Sequence, residues 1–193
     1  MNLYTFTLFL HVVGAVGVVA GFGTWLFGCA ALWRAGRVET VREVAALMAW
    51  SGNVVVASIV LLGAAGIAMA LMAWGGARTP WIDVATGGFL LLAPLGAFTI
   101  DPRVRAIAAQ ARKAPDGPLP AALARRARDP VMTAGLLFDL AALLGILYLM
   151  TTKPPLEMSI VAMLLAFALG LLAGVPLWLS AARVHASQPP AGK

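Results

Sequence analysis

Residues 3–33 read LYTFTLFLHVVGAVGVVAGFGTWLFGCAALW, a run without a charged side chain near the start of the chain. The hydrocarbon core of a bilayer is about 30 Å thick, and about 20 helical residues cross it. The run is longer than the apolar core of a cleaved signal peptide, and no Lys or Arg precedes it. We therefore predict that this stretch stays in the protein as a first transmembrane helix.

Four further apolar stretches follow, and Asp139 is the charged residue that interrupts one of them near its centre. The chain is 61% hydrophobic and only 11% charged, whereas about a quarter of the residues are charged in soluble domains. This composition predicts an all-α, polytopic membrane protein: a single domain over residues 1–193, built as a bundle of five transmembrane helices. The predicted spans are residues 3–33, 44–76, 80–101, 130–152 and 156–183.

Basic residues lie almost entirely on one side of these spans. Of the 14 Lys and Arg residues, only Arg78 and Lys153 fall in the loops of the other side. The positive-inside rule then predicts a bacterial inner membrane protein with its amino terminus outside and its carboxyl terminus in the cytoplasm. The net charge of +6 is explained by contact with anionic lipid headgroups, so no nucleic-acid partner is expected.

The third span contains Pro94, which predicts a kink, and Asp101-Pro102 is expected to end its helix. Residues 102–129 then form a cytoplasmic basic loop. Both flanks of this loop have helical composition and a Pro/Gly tip separates them, which predicts short helical extensions joined by an irregular turn.

His11 is the first candidate for function. If residues 3–33 are helical, His11 shares a face with Gly14, Gly17 and Gly21, because residues three or four apart are neighbours on a helix. Such a flat stripe lets either another helix or a flat ligand approach the backbone. His11 therefore either donates a hydrogen bond to the next helix or, with Gly14 and Gly21, contacts a cofactor. Small-residue faces of this kind also predict a homo-oligomer.

Asp139 and Asn53 are the candidate polar residues inside the membrane. A carboxyl group in hydrocarbon usually stays protonated unless a cation or hydrogen-bond donors hold its charge. Asp139 is expected to pair with His11, with Asn53 or Ser58, or with a backbone carbonyl, as a structural, proton-handling or ligand group. Asn53 is expected to bond to another helix.

Methionine sulfur and imidazole together suit Cu(I) or a haem of raised potential. On the predicted topology, several methionines lie on the same side as His11, and of these Met69, Met72 and Met150 are candidate metal ligands with His11. His185 lies at the other end, so one chain cannot hold haem b between its own two histidines. A His/Met pair, a single ligand, or His11 from two chains remain open. Equally, the methionines fill apolar space.

Four segments carry a resemblance to a known family: LHVVGAVGVVAGFGTWLF from Leu10, TPWI from Thr79, DPRVRAI from Asp101 and YLMTTKP from Tyr148. Together they resemble the small bacterial integral membrane proteins grouped as domain of unknown function 2269. The first span is also similar in style to copper-resistance D proteins and to haem-associated protoporphyrinogen oxidases. That partial likeness implies only that His11 is a haem or metal ligand.

Three functions are consistent with these residues. The first is binding of haem b or a metal at His11 in a redox or electron-transfer role. The second is a permease for copper or another small solute, with Asp139 and the methionines along the path. The third is a structural subunit of a membrane complex. No nucleotide, hydrolase or protease motif is visible, which argues against a soluble-substrate enzyme.

Overall fold

The computed structural model describes the backbone of residues 2–74 and 79–186 and the side chains of residues 2–73 and 79–176. The helices are α1 (Leu3–Arg34), α2 (Val38–Trp74), α3 (Pro80–Leu95), α4 (Asp101–Lys113), α5 (Ala121–Ala127), α6 (Pro130–Thr152) and α7 (Leu156–Ala186), with a π-helical turn at Gly96–Ile100 between α3 and α4. Five helices of the described chain are long and apolar enough to cross a membrane. The predicted all-α bundle of five spans is confirmed.

The helices form two pairs. α1 packs along α2, and α6 packs along α7. α3 packs on α6 and α7, while α4 packs on α2, so the segment from α3 to α4 connects the two pairs. The end of the bundle that holds the start of α2, α4, α5 and the start of α6 is called the basic end below.

The glycine stripe of α1 is the contact surface for α2. A Cβ atom added at Gly14 would lie 2.8 Å from the backbone nitrogen of Leu62, and one at Gly28 would lie 2.5 Å from the sulfur of Met48. Trp25 is buried beside this stripe and donates from its indole nitrogen to the carbonyl oxygen of Met48 at 2.9 Å. The two helices therefore approach more closely than side chains at these positions would allow.

The basic end has the most tightly buried core of the described chain. α2 has 37 residues, about 55 Å of helix at 1.5 Å per residue, which exceeds the thickness of a bilayer core. Its first turns pack on α4 instead of on lipid. Fully buried side chains of this layer include Leu32, Val38, Val41, Met48, Val104, Ile107 and Leu123.

Arginine side chains connect the helices of this layer through hydrogen bonds and ion pairs. Arg42 of α2 donates to the carbonyl oxygens of Ala111 and Ala114 at the end of α4, at 3.1 and 2.8 Å, and to Asp116 at 2.7 Å. Arg103 of α4 pairs with Asp129, the capping residue of α6, at 3.0 Å. Headgroup contact is therefore not the whole explanation of the basic residues, because several are engaged within the chain.

The third span continues as a helix past the point where the sequence predicts its end. Pro94 lies inside α3, and the chain then passes through the π-helical turn at Gly96–Ile100. The helix does not end at Asp101-Pro102, since Pro102 sits in the first turn of α4, where an N–H group is dispensable. Residues 102–129 are accordingly mostly helical, with α4 and α5 on either side of a turn around Gly117, whose φ is 142°.

Small residues also join α6 and α7. A Cβ atom added at Gly170 would lie 2.8 Å from the Cα atom of Phe138, and one at Gly174 would lie 3.0 Å from the Cβ atom of Ala134. Like the stripe on α1, this face is used within the chain. The predicted homo-oligomer would have to form through other surfaces.

Gly14→Ala should destabilise the protein, because the added methyl group meets the backbone of Leu62 and the two helices must separate. We expect the free energy of unfolding to fall by roughly 1–3 kcal/mol, measured as a lower melting temperature in detergent. Gly23→Ala is the matched control, since a Cβ atom there has nothing within 4 Å. Equal melting temperatures for the two variants would contradict this account of the α1–α2 contact.

Candidate functional site: a cavity with buried carboxyl groups

Asp139 lies in the middle of α6 and is completely buried, with 0% of its surface exposed. Leu136 and Ala142, one turn away on either side, are also fully buried. Residues at this spacing share one face of a helix, so this face of α6 points into the bundle. Neither carboxyl oxygen of Asp139 has a hydrogen-bond partner among the described residues. A buried polar group of this kind costs free energy unless something satisfies it, which makes the position a candidate site.

A cavity of about 210 Å³ lies between the α1–α2 pair and α3, with Asp139 in its wall. Its lining is mostly apolar and includes Phe22, Trp25, Ile59, Phe89, Leu92 and Leu143. Liquid water occupies about 30 Å³ per molecule, so a space of this size holds several waters or a small solute. Asp139 therefore faces a space in which a ligand of its carboxyl group can be accommodated.

Asp101 is the second carboxyl group of the cavity. Its Oδ2 atom accepts from Nε of Arg105 at 2.6 Å, and Arg105 Nη2 donates to Oδ1 of Asn53 at 2.8 Å. Its Oδ1 atom is buried without a partner in the described chain and lies next to Gly52 of α2. This network lies at the basic end of the cavity, where Asp101 is in the lining, and it connects α4 to α2.

The two carboxyl groups differ in what surrounds them. Asp101 has the guanidinium of Arg105 to neutralise its charge, whereas no cationic side chain among the described residues lines the cavity beside Asp139. An isolated charge in an apolar interior is strongly unfavourable. Asp139 can therefore hold a proton, or it can hold a small cation whose charge replaces the missing partner.

His11 makes a different contact. Its Nδ1 atom lies 3.0 Å from the carbonyl oxygen of Leu62 on α2, and the ring lies close to Gly66. A carbonyl oxygen can only accept, so Nδ1 is the donor in this contact, and in the neutral ring Nε2 then keeps its lone pair. His11 is half-buried, and its described hydrogen bond goes to Leu62 and not to Asp139.

The proposed cofactor-contacting glycines are covered by α2. Gly14 faces the backbone of Leu62, and Gly21 faces the side chain of Val55. The flat stripe could accept either another helix or a flat ligand, and in the structure the helix α2 lies against it. No room for a macrocycle is left along this part of the stripe.

The candidate methionines lie on two different helices. Met150 packs in a cluster with Ala85, Leu149 and Met163, which belongs to α3, α6 and α7. Met69 and Met72 lie on α2, which packs on α1 and α4. No group of three or more His, Cys, Asp or Glu residues suited to a metal ion occurs in the described ranges. The side chain of His185 lies outside the described residues.

Asp101, Arg105 and Gly52 were not singled out from the sequence. In the sequence, Asp101-Pro102 predicts the end of a helix, and Arg105 is one of many basic residues. The four-residue spacing of Asp101 and Arg105 is typical of a helical ion pair, and this signal could have identified them. Their contact with Asn53 joins residues 52 positions apart, which no local pattern reveals.

A family model described as "Predicted integral membrane protein (DUF2269)" matches residues 5–154. The chain belongs to the DUF2269 family. No curated protein and no solved structure matches it. The matched range contains both carboxyl groups of the cavity as well as Asn53, Arg105 and His11. For the DUF2269 chain, membrane integration is therefore the property that the family description states, and any activity has to be argued from the site.

Asp139→Asn and Asp139→Leu should leave the protein as abundant and as thermally stable as the wild type. The carboxyl group has no partner in the described chain to lose, and replacing an unsatisfied buried polar group with an apolar one is neutral or stabilising. The measurement is the melting temperature of the purified protein together with its level in membranes.

Asp129→Ala, on the same helix, is the control with the opposite expectation. Asp129 accepts from the backbone nitrogen of Val131 at 2.8 Å and pairs with Arg103, so its loss should cost roughly 0.5–2 kcal/mol. A collapse of Asp139→Asn to a level below that of Asp129→Ala would mean that Asp139 is charged and paired.

Proposed function

We propose that this DUF2269 protein is a permease for a small cation, the proton included, and that Asp139 is the carboxyl group that binds it. The observation that supports the proposal is the complete burial of Asp139, with both oxygens free of partners in the described chain, at the wall of a cavity between two helix pairs. An ionisable residue inside a membrane span is rare and typically marks an ion path or a proton relay.

The chemistry of the cavity favours a proton or a hard cation over copper. Carboxylate oxygen is a ligand for hard cations, whereas Cu(I) prefers thioether and thiolate sulfur. The candidate methionines lie on different helix groups and are absent from the cavity lining. We therefore infer that copper is the less suitable solute for this path.

We further infer that the basic end faces the cytoplasm of a bacterium, as the distribution of Lys and Arg predicts. Under this orientation, a cation that leaves Asp139 toward the cytoplasm moves past Asp101, which belongs to the network with Arg105 and Asn53. Opening that network requires α2 and α4 to separate. Movement of the α1–α2 pair against the α6–α7 pair, about the segment from α3 to α4, would expose Asp139 first to one side and then to the other.

The test is flux into liposomes that contain the purified protein. Liposomes with a trapped pH indicator report proton entry under an imposed gradient, and sodium, potassium and copper are assayed in the same preparation. We expect flux of one cation above that of empty liposomes in the wild type. Asp139→Asn should reduce it to the level of empty liposomes, because an amide cannot take up and release a proton or neutralise a cation.

Asp83→Asn is the matched control, since Asp83 is an exposed carboxyl group in the first turn of α3 at the other end of the bundle. It should keep the flux of the wild type. If the wild type carries none of these cations, or if Asp139→Asn carries them equally well, the permease proposal fails and a structural subunit of a membrane complex becomes the better interpretation.

A second candidate function is a haem b or copper site at His11 with an electron-transfer role. It is supported by the hydrogen bond from Nδ1 to the carbonyl oxygen of Leu62. Histidines that bind metals commonly donate their other ring N–H to a backbone carbonyl, which fixes the tautomer and directs Nε2 to the metal. Because α2 covers Gly14 and Gly21, a haem fits only on the side of the ring away from α2. A haem there would be held by His11 together with His11 of a second copy, in a homodimer.

The visible spectrum of the protein purified in detergent, before and after loading with haem, tests this candidate. A bound haem gives a Soret band that is lost in His11→Ala, and copper gives a metal content that is lost in the same variant. His11→Asn is a milder second variant that keeps a polar group near Leu62. A preparation that stays colourless and free of copper in the wild type would rule the site out.

A further inference from the structure

A shallow groove of about 350 Å³ runs along the outside of the α1–α2 pair. Val13 of α1 forms one wall, and Trp50, Asn53, Ala57 and Leu61 of α2 lie along its floor and other wall. These α2 positions recur every three or four residues and so form one stripe. From Trp50 to Leu61 the stripe extends about 16 Å parallel to the helix axis at 1.5 Å per residue.

The groove changes from polar to apolar along its length. At the basic end, Trp50 is 65% exposed, and Asn53 is exposed beside Arg105, whose side chain is 48% exposed. Asn53 uses its oxygen to accept from Arg105, so its two amide N–H groups remain available as donors. Beyond Asn53, the lining is small or aliphatic at Ala57, Leu61 and Val13, and Ser58 contributes a hydroxyl group to this part.

The donors at the polar end suit an oxyanion. The donors at this end are the indole N–H of Trp50, the amide N–H groups of Asn53, and the guanidinium N–H groups of Arg105 that do not bond to Asp101 or Asn53. Lys and Arg residues concentrate at this end of a chain with net charge +6, which favours an anionic group. Trp side chains are also enriched at the level of lipid headgroups.

We propose that this groove binds an anionic phospholipid of the leaflet at the basic end. Its phosphate accepts hydrogen bonds from Trp50, Asn53 and Arg105, and one acyl chain lies along the stripe over Ala57 to Leu61. The order of polar and apolar residues matches the direction in which a lipid of that leaflet lies, with its headgroup at the membrane surface and its chain toward the centre. A second copy of the protein would cover the apolar part and leave the donors unsatisfied.

The groove and the cation cavity share no lining residue, because the cavity lies on the side of α1 and α2 that faces α3 and the groove lies on another side. Asn53 and Arg105 at the polar end of the groove are linked to Asp101 of the cavity, whereas Trp50 and Ala57 lie outside that network, so their variants test the lipid site alone. The lipid proposal can therefore fail while the permease proposal holds, and the reverse.

The experiment measures how much phosphatidylglycerol stays bound to the protein after it is released from bilayers of that lipid and washed in detergent, by mass spectrometry of the intact protein. We expect one retained lipid per chain in the wild type. Ala57→Phe places a ring in the groove from an exposed position and should reduce retention about tenfold or more, as expected from the loss of about 1.4 kcal/mol of binding free energy.

Ile67→Phe is the matched control, because Ile67 is an exposed residue of the same helix, 65% exposed, beyond the groove. It should retain the lipid as the wild type does. Trp50→Phe is a second variant that keeps the ring and removes the donor, and it should reduce retention even if Ala57→Phe folds poorly.

Three results would overturn the proposal. The first is a wild type that retains no lipid. The second is equal retention in the wild type, Ala57→Phe and Trp50→Phe. The third is a wild type that is a lipid-free dimer and becomes a monomer in Ala57→Phe, because a second copy would then be the occupant of the groove.

Discussion

The close contact between α1 and α2 is the interaction on which the rest of the structure depends. Inside a bilayer, apolar side chains gain little by leaving lipid, so helices associate through close van der Waals packing and hydrogen bonds. Gly14 and Gly28 allow that close packing, and the bonds of Trp25 to Met48 and of His11 to Leu62 add direction to it. The inner face of this pair forms one wall of the cavity, and its outer face carries the groove.

The two carboxyl groups of the cavity differ in whether a charged partner lies beside them. Asp101 receives a cation from its own helix and a link to α2 through Asn53. Asp139, by contrast, is left without a partner in the described chain at a place where solvation is poor. Stability alone does not explain such a residue, because an apolar side chain would fill the position at lower cost. The carboxyl group is accounted for if it exchanges a proton or a cation.

Sequence patterns were sufficient for the number and type of helices, because the bilayer imposes a minimum length of apolar residues that is visible along the chain. They also identified Asp139, since a charge within an apolar run stands out. They could not decide between a helix and a ligand as occupant of the glycine stripe, because both need the same flat surface. The network of Asp101, Arg105 and Asn53 could not be predicted, because its partners come from helices that are far apart in the sequence. The helical flanks of residues 102–129 were predicted from their composition, whereas the length of α2 depends on packing at the basic end, which local composition does not report.

The π-helical turn at Gly96–Ile100 has a mechanical consequence. Successive residues of an α-helix are rotated by about 100°, whereas a π turn holds more residues per revolution, so it changes the rotational phase between α3 and α4. That phase is what lets Asp101 line the cavity while Pro80 to Leu95 keep their own contacts with α6 and α7. With α geometry at this single turn, α4 would be rotated about its axis relative to α3, and Asp101 would no longer face the cavity. The wide turn thus sets the rotational position of one part of a long membrane helix relative to the other while both parts remain helical.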